Sequence, residues 1–321
     1  MSPFEKTSAT DKPMRELGEL ALLKKIRRAL GEAAPPCPEG PGDDCAVLEC
    51  ECEENFKQLF TVDSLVYKKH FDDSLTAFQA GEKLLKRNVS DIAAMAGTAT
   101  VGVTAVVCGG DVSEGWLLEF CRGLSAAALR HGVRLVGGDL AQGDAGTFSA
   151  SLSLLGKAKH PVTRKGARPG DLIFVTGKLG GSLAGWHYEF KPRVKEALWL
   201  AEHFRPNAMM DLTDGLAKDL PQLLPENCDA FLETNALPIS PAVTENPLVH
   251  ALSDGEDYEL LFTLPEGTDI AALMKKWNEN FSTPLTCIGK IERAHDDKDG
   301  KRLRDARTKE LLNAKGFSHF Q

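Results

Sequence analysis

The chain has 321 residues, 42% of them hydrophobic and 26% charged, with a formal net charge of −8. That length suits two globular domains, and the acidic balance argues against a nucleic-acid partner, which needs a Lys/Arg surplus on one face. The longest apolar runs, such as Val101–Cys108, are too short to span a bilayer, and the polar segment Met1–Arg15 lacks a secretory apolar stretch, so a cytoplasmic protein with no membrane partner is expected.

Residues 1–13 read as a disordered extension. Apolar positions at Leu17, Leu20, Leu23, Ile26 and Leu30, closed by Gly31, predict a helix over Met14–Leu30. After the Pro/Gly-rich loop Ala33–Gly42, short strands are expected near Cys45–Leu48 and Leu59–Val62, with the acidic turn Glu49–Glu54 between them. Leu75–Arg87 reads as a helix. Ser90–Ala96 reads as a second helical start, capped by Ser90, with Asp91 in its first turn. A strand (Val101–Cys108), an amphipathic helix (Ser113–His131), a strand (Val133–Val136) ending at Gly137-Gly138-Asp139, and an alternating strand (Phe148–Gly156) follow.

The loop His160–Gly170, rich in Pro, Gly and Arg, marks the expected boundary between a domain over 14–158 and one over 159–321. The second half opens with a strand, Leu172–Thr176, and the turn Gly177–Ser182. A helical segment over Asp211–Leu224, a strand near Ala230–Leu232, a strand Tyr258–Leu264, a helix near Ile270–Trp277 and a strand near Leu285–Ile288 complete it. Strands and helices interleave in both halves, which predicts an α/β (α+β) fold. Eight cysteines include no CxxC pair, so reduced thiols are expected, not a zinc site or a disulfide frame.

Aspartates recur at the edges of apolar runs: Asp43 and Asp44 after Gly42, Asp63 after Thr61-Val62, Asp91 after Ser90, Asp139 after Gly138, and Asp211 and Asp214 around Thr213. Each patch has an ordinary reading as turn or helix-cap chemistry. Together they fit a magnesium site, because magnesium takes hard oxygen ligands and is shared with substrate phosphates. His70, beside Phe71, reads as a packed or surface residue. Arg164, in a basic loop, reads either as solvated charge or as a guanidinium held against phosphates. No Walker A, Rossmann, HExxH or GxSxG motif is present, and Gly177–Ser182 alone is a weak phosphate-loop signal.

Taken in order, several segments resemble the thiamine-monophosphate kinase family of the aminoimidazole ribonucleotide synthetase-like superfamily. They are Gly42–Val47, Asp63 through His70-Phe71, Lys83 through Asn88–Met95, Val136–Asp139, Arg164 with Gly166–Asp171, Asp211–Leu216 and Gly255–Phe262. The resemblance implies a two-domain fold, a homodimer formed through the N-terminal sheet, and a site between the domains. It implies direct transfer of the γ-phosphoryl of ATP to thiamine monophosphate, with Asp63, Asp91 and Asp211 central to catalysis. Several magnesium ions would be held by Asp44, the Thr61-Val62-Asp63 patch, Asp91, Asp139, Asp211 and Asp214. ATP would meet Gly138, Asp139, Arg164, Thr213 and His131, and the thiamine end would meet His70, Glu256 and Phe317.

Three positions depart from the family pattern. Thr213 replaces the usual serine and keeps the hydroxyl, Leu140 stands where threonine is common, and Ser253-Asp254 adds a carboxylate before Gly255. The chemistry is consistent with the absence of an acid/base triad, because a phosphate monoester with a second pKa of about 6 is already a nucleophilic dianion at neutral pH. Alternative readings are another ATP-using enzyme of the superfamily or a metal-dependent phosphohydrolase acting on water.

Overall fold

The computed structural model describes residues 37–39, 43–49, 55–294, 301–314 and 316. The extension 1–13, the helix expected over Met14–Leu30, residues 50–54 of the acidic turn and Phe317 lie outside the described residues.

The first half contains β1 (Ala46–Glu49), β2 (Lys57–Val66), α1 (Ala77–Ala94), β3 (Thr98–Gly109), α2 (Glu114–Arg130), β4 (Arg134–Gly143) and β5 (Phe148–Ala158). Its strands form one sheet in the order β1-β2-β5-β3-β4, with only the β3–β4 pair parallel. Along β5 every second residue is buried, from Phe148 to Ala158, as a sheet covered on one face requires. The helices α1 and α2 cover that face. They approach closely at two glycines: a Cβ on Gly123 would stand 1.9 Å from the Phe78 carbonyl oxygen, and one on Gly81 would stand 2.0 Å from that of Phe120.

The second half contains β6 (Leu172–Thr176), a short α3 (Trp186–Glu189), α4 (Val194–His203), β7 (Ala208–Asp211), α5 (Leu216–Leu223), β8 (Cys228–Leu232), α6 (Pro247–Ser253), β9 (Leu260–Leu264), α7 (Ile270–Asn280), β10 (Leu285–Arg293) and β11 (Leu303–Asp305). Its sheet runs β11-β8-β10-β6-β9-β7, with only β11–β8 parallel. Strands β7, β8 and β9 are buried at every residue, and β6 at all but its first. Two buried clusters flank this sheet, one around Leu216, Leu220 and Ile288, the other around Phe174, Phe262 and Trp277.

Three local expectations are corrected. Leu75–Arg87 and Ser90–Ala96 are one continuous helix, α1, whose true cap is Thr76, paired with Gln79 in a capping box. Ser90 sits mid-helix, and its hydroxyl bonds a distant side chain instead of a helix end. The strand expected to stop at Val136 runs on to Gly143, so Gly138 and Asp139 lie within it, paired with Thr104 and Ala105. Asp211 ends strand β7, and the helix after it begins only at Leu216, beyond Gly215 at φ 95°.

Because Gly123 meets the Phe78 backbone with no room for a methyl group, Gly123→Ala is expected to cost about 1–3 kcal/mol. Urea unfolding of the two proteins checks it.

Candidate active site

Helix α1 is the axis of the site. Lys83, Arg87 and Asp91 stand four residues apart, which aligns them on one helix face. Each meets a partner from another element. Arg87 donates from Nε and Nη2 to the two Asp63 oxygens at 2.9 and 3.2 Å, and from Nη1 to the Ser64 carbonyl. Burial works against the Arg87 charge, but Asp63 beside it more than compensates and keeps it protonated.

Asp91 accepts from Thr61 Oγ1 at 2.7 Å. The neighbouring Ser90 hydroxyl crosses to Asp211 Oδ2, tying α1 to the end of β7. Asp44 completes the group: one oxygen from each of Asp44, Asp91 and Asp211 lies within 4.8 Å of the others. Burial, and the nearby carboxylates, push both Asp91 and Asp211 well above the usual carboxylate range. Among the described residues, the buried Asp211 Oδ1 finds no hydrogen-bond partner. Hard oxygens held this close, one of them orphaned, fit a magnesium ion, which turns their repulsion into coordination.

Arg164 supplies part of the missing charge. Its Nη2 and Nε donate to the two Asp44 oxygens at 2.6 and 3.1 Å, its Nη1 to Gln222, and its backbone amide to Asp43. Burial, then Asp44, push Asp43 up to about 6. Below Asp211, the Asp219 carboxylate accepts from the amides of Thr213 and Asp214 at 2.9 Å each and so shapes that turn. Burial, then Asp214, raise Asp219 to about 7. Asp214 itself pairs with Lys218 at 2.7 Å.

A cavity of about 470 Å³ opens from this cluster. Asp63, Asp91, Thr213, Asp214, His70 and Glu256 line it together. His70 is oriented by its own turn, its Nδ1 accepting from the Val66 amide at 2.9 Å. Burial pushes the Glu256 carboxyl up, but His187, Lys83 and Arg87 reverse this and hold it down at about 2.

The turn Gly177–Ser182 is not a phosphate cradle. Its Gly180 amide donates to Asp257 and its Gly181 amide to Asp254 at 2.7 Å, so these donors are committed to the protein's own carboxylates. Asp254, the added acid, is thereby anchored, with His250 on its other side.

The fold gathers Asp44, Asp91 and Asp211 and brings Thr61, Asp63, Thr213, Asp214, Arg164, His70 and Glu256 around them. It does not gather all the expected residues. Asp139 shares a row with Ala105, Ser151 and Ser64 across the sheet, one residue out of step with Asp63 on Leu152. Side chains alternate along strands, so Asp139 faces away from Asp63 and Asp91. Gly138 lies on the same edge strand, three strands from β2, and His131 caps the far end of α2. Val62 likewise points its side chain to the open face and is 61% exposed.

Sequence reasoning passed over Ser90 as a bridge, Arg87, Asp219 and His187. The four-residue spacing Lys83–Arg87–Asp91 carried the signal for Arg87, and it becomes visible once α1 is read as one helix. Asp219 and His187 carry no local signal, because their partners are distant or backbone groups.

Comparison with known proteins agrees with this geometry. The family AIR synthase related protein, N-terminal domain, matches residues 42–158. The thiamine-monophosphate kinase of Rhodopirellula baltica is 33% identical over 286 residues, covering 85% of this chain and 88% of that protein. The thiamine-monophosphate kinase of Haemophilus influenzae is 31% identical, covering 95% and 98%. Among solved structures, AaThiL complexed with AMPPCP and TMP superposes with a TM-score of 0.80 at 26% identity, over 97% of this chain and 100% of that one.

Because the raised Asp91 and Asp211 carboxyls hold protons longer folded than unfolded, they favour the fold at low pH and lose that contribution as pH rises through their folded values. Asp211→Asn is therefore expected to raise the melting temperature at pH 8 without divalent cation, by about 2–4 °C for each kcal/mol relieved. It should also abolish the further rise that magnesium gives the parent. Thermal scans with EDTA or magnesium check both signs.

Proposed function

The chain belongs to the thiamine-monophosphate kinase family, and on that premise we propose that it transfers the γ-phosphoryl group of ATP to the phosphate of thiamine monophosphate, giving thiamine diphosphate. The observation that carries this reading is the gathering of Asp44, Asp91 and Asp211 within 4.8 Å, with Asp91 lining the same cleft as His70 and Glu256.

The obstacle to this reaction is electrostatic. Two unit charges 4 Å apart at an effective dielectric of 20 interact by about 4 kcal/mol, and two phosphate groups bring several such pairs together. Magnesium, when bound, supplies the positive charge that removes this repulsion and favours in-line transfer. Asp44, Asp91 and Asp211 hold the first ion, and Asp63 and Asp214, on the same cleft, serve further ions, with Thr61 and the Val62 backbone beside them. Arg164 and the Thr213 hydroxyl meet nucleotide phosphates. His70, Glu256 and Phe317 receive the thiamine end. No side chain has to remove a proton, because the acceptor phosphate is already largely a dianion at neutral pH.

The domains of this reading are 14–158 and 159–321, joined by the segment between β5 and β6. The unit is a homodimer formed through the N-terminal sheet. The open face of that sheet supports this: Phe60, Val62, Val103 and Val107 lie on it, between 43% and 61% exposed. Monomeric proteins rarely leave so large an apolar face uncovered. Asp139 stands on that same face, so pairing would bring it to the interface, where it could meet nucleotide.

Purified protein with ATP, magnesium and thiamine monophosphate should yield ADP and thiamine diphosphate in equal amounts. ADP with inorganic phosphate and no thiamine diphosphate would establish a phosphohydrolase instead. Asp91→Asn is expected to lower turnover by about 10²–10³, the scale of one lost electrostatic group in a preorganised site. Val62→Glu combined with Val103→Glu is expected to sediment as a monomer, and a dimer persisting in the double variant would exclude this face as the interface.

A further inference from the structure

Lys83 is fully buried and does not line the cleft, yet it touches both residues assigned to the thiamine end. Its Nζ donates to the His70 carbonyl at 2.6 Å and to Glu256 at 2.9 Å to Oε1 and 3.0 Å to Oε2, and it stands 2.8 Å from His187 Nδ1. An ammonium has three donors and no lone pair. The three partners can therefore use it completely, with His187 Nδ1 accepting in the tautomer that carries its proton on Nε2.

These partners come from both halves of the chain. His70 follows β2 in the first sheet, while His187 lies on α3 and Glu256 in the loop before β9. That loop is held in an uncommon shape: Glu256 has φ 62° and Tyr258 φ 50°. Such backbone is strained and persists only where the surroundings fix it. Here the Glu256 amide donates to the Thr213 carbonyl at 2.7 Å, and the Tyr258 amide to that of Leu212 at 2.8 Å. The backbone of the thiamine end is thus strapped to the Asp211–Asp214 turn, and the Glu256 carboxylate is directed by Lys83 at both oxygens, with Tyr258 Oη donating to Oε1 at 3.3 Å.

We propose that Lys83, seated by His187, is the positioning residue that fixes the spacing and direction of His70 and Glu256 across the two domains, and so sets affinity for the thiamine moiety. The proposal rests on the phosphoryl-transfer reading above. It explains why a lysine is buried where an apolar residue would pack: without it, the Glu256 carboxylate and the His70 carbonyl each lose a charged donor. Burial pulls Lys83 down to about 8, against the opposing pull of Glu256, so the buried charge is retained at neutral pH.

The test measures KM for thiamine monophosphate and for ATP separately, with kcat, in intact protein. Lys83→Met should raise KM for thiamine monophosphate about tenfold or more, leaving KM for ATP and kcat within about threefold. His187→Asn, which keeps an acceptor near the place of Nδ1, should stay near the parent, whereas His187→Leu should match Lys83→Met. If Lys83→Met folds poorly because Glu256 is left unpaired, Lys83→Met with Glu256→Gln removes both charges. The rise in its KM for thiamine monophosphate should then be smaller than the product of the two single effects. An unchanged KM in both Lys83→Met and His187→Leu, or equal losses against ATP and thiamine monophosphate, would overturn the proposal. Parent protein that makes no thiamine diphosphate would instead overturn the functional reading, which the parent assay alone decides.

Discussion

Three carboxylates from three separate elements, Asp44 before β1, Asp91 on α1 and Asp211 at the end of β7, meet at the joint between two sheets. Their repulsion is the constraint around which the rest is arranged. Nothing apolar relieves it, and the described protein relieves only part of it, through Arg164 on Asp44, Thr61 on Asp91 and Ser90 on one oxygen of Asp211. The remaining demand for positive charge is what a magnesium–phosphate substrate answers.

Helix α1 converts that constraint into a site. It is buried along most of its length, including Lys83, Lys86, Arg87, Asn88 and Ser90, an unusual load of polar groups for an interior helix. Its charges are paired outward, Lys83 to Glu256 and Arg87 to Asp63, so the helix runs along the cleft that both acids line. Burying a charge is tolerable only with such partners. The partners come from both sheets, so the same pairs that satisfy the helix also hold the two halves in register.

The glycine-rich turn after β6 makes the opposite point. Its geometry offers backbone amides, as an anion site would, yet Asp254 and Asp257 of the same protein take them. The turn therefore braces the loop that carries Glu256. In the proposed reaction, phosphate recognition falls to cations and to Arg164, in keeping with a chain that has no P-loop.

Much of this was readable from residue order. Apolar periodicity located most strands and helices, and the recurrence of aspartates at element edges put Asp44, Asp91 and Asp211 among seven candidate acids, because hard-oxygen chemistry needs that residue type wherever the chain places it. The limits of local pattern show at Ser90 and Asp139. Ser90 looks like a cap, because serine before an acid has that meaning in isolation, but tertiary packing gives its hydroxyl to Asp211, 121 residues away. Asp139 follows two glycines and looks like a turn, but pairing with β3 extends the strand through it and turns it to the other face. Residue types and spacing thus determined which chemistry the chain is built for. Only the tertiary structure decided which acids share one cation site, which are neutralised by arginine, and which face a separate surface, because those outcomes depend on strand register and on contacts between residues far apart in the sequence.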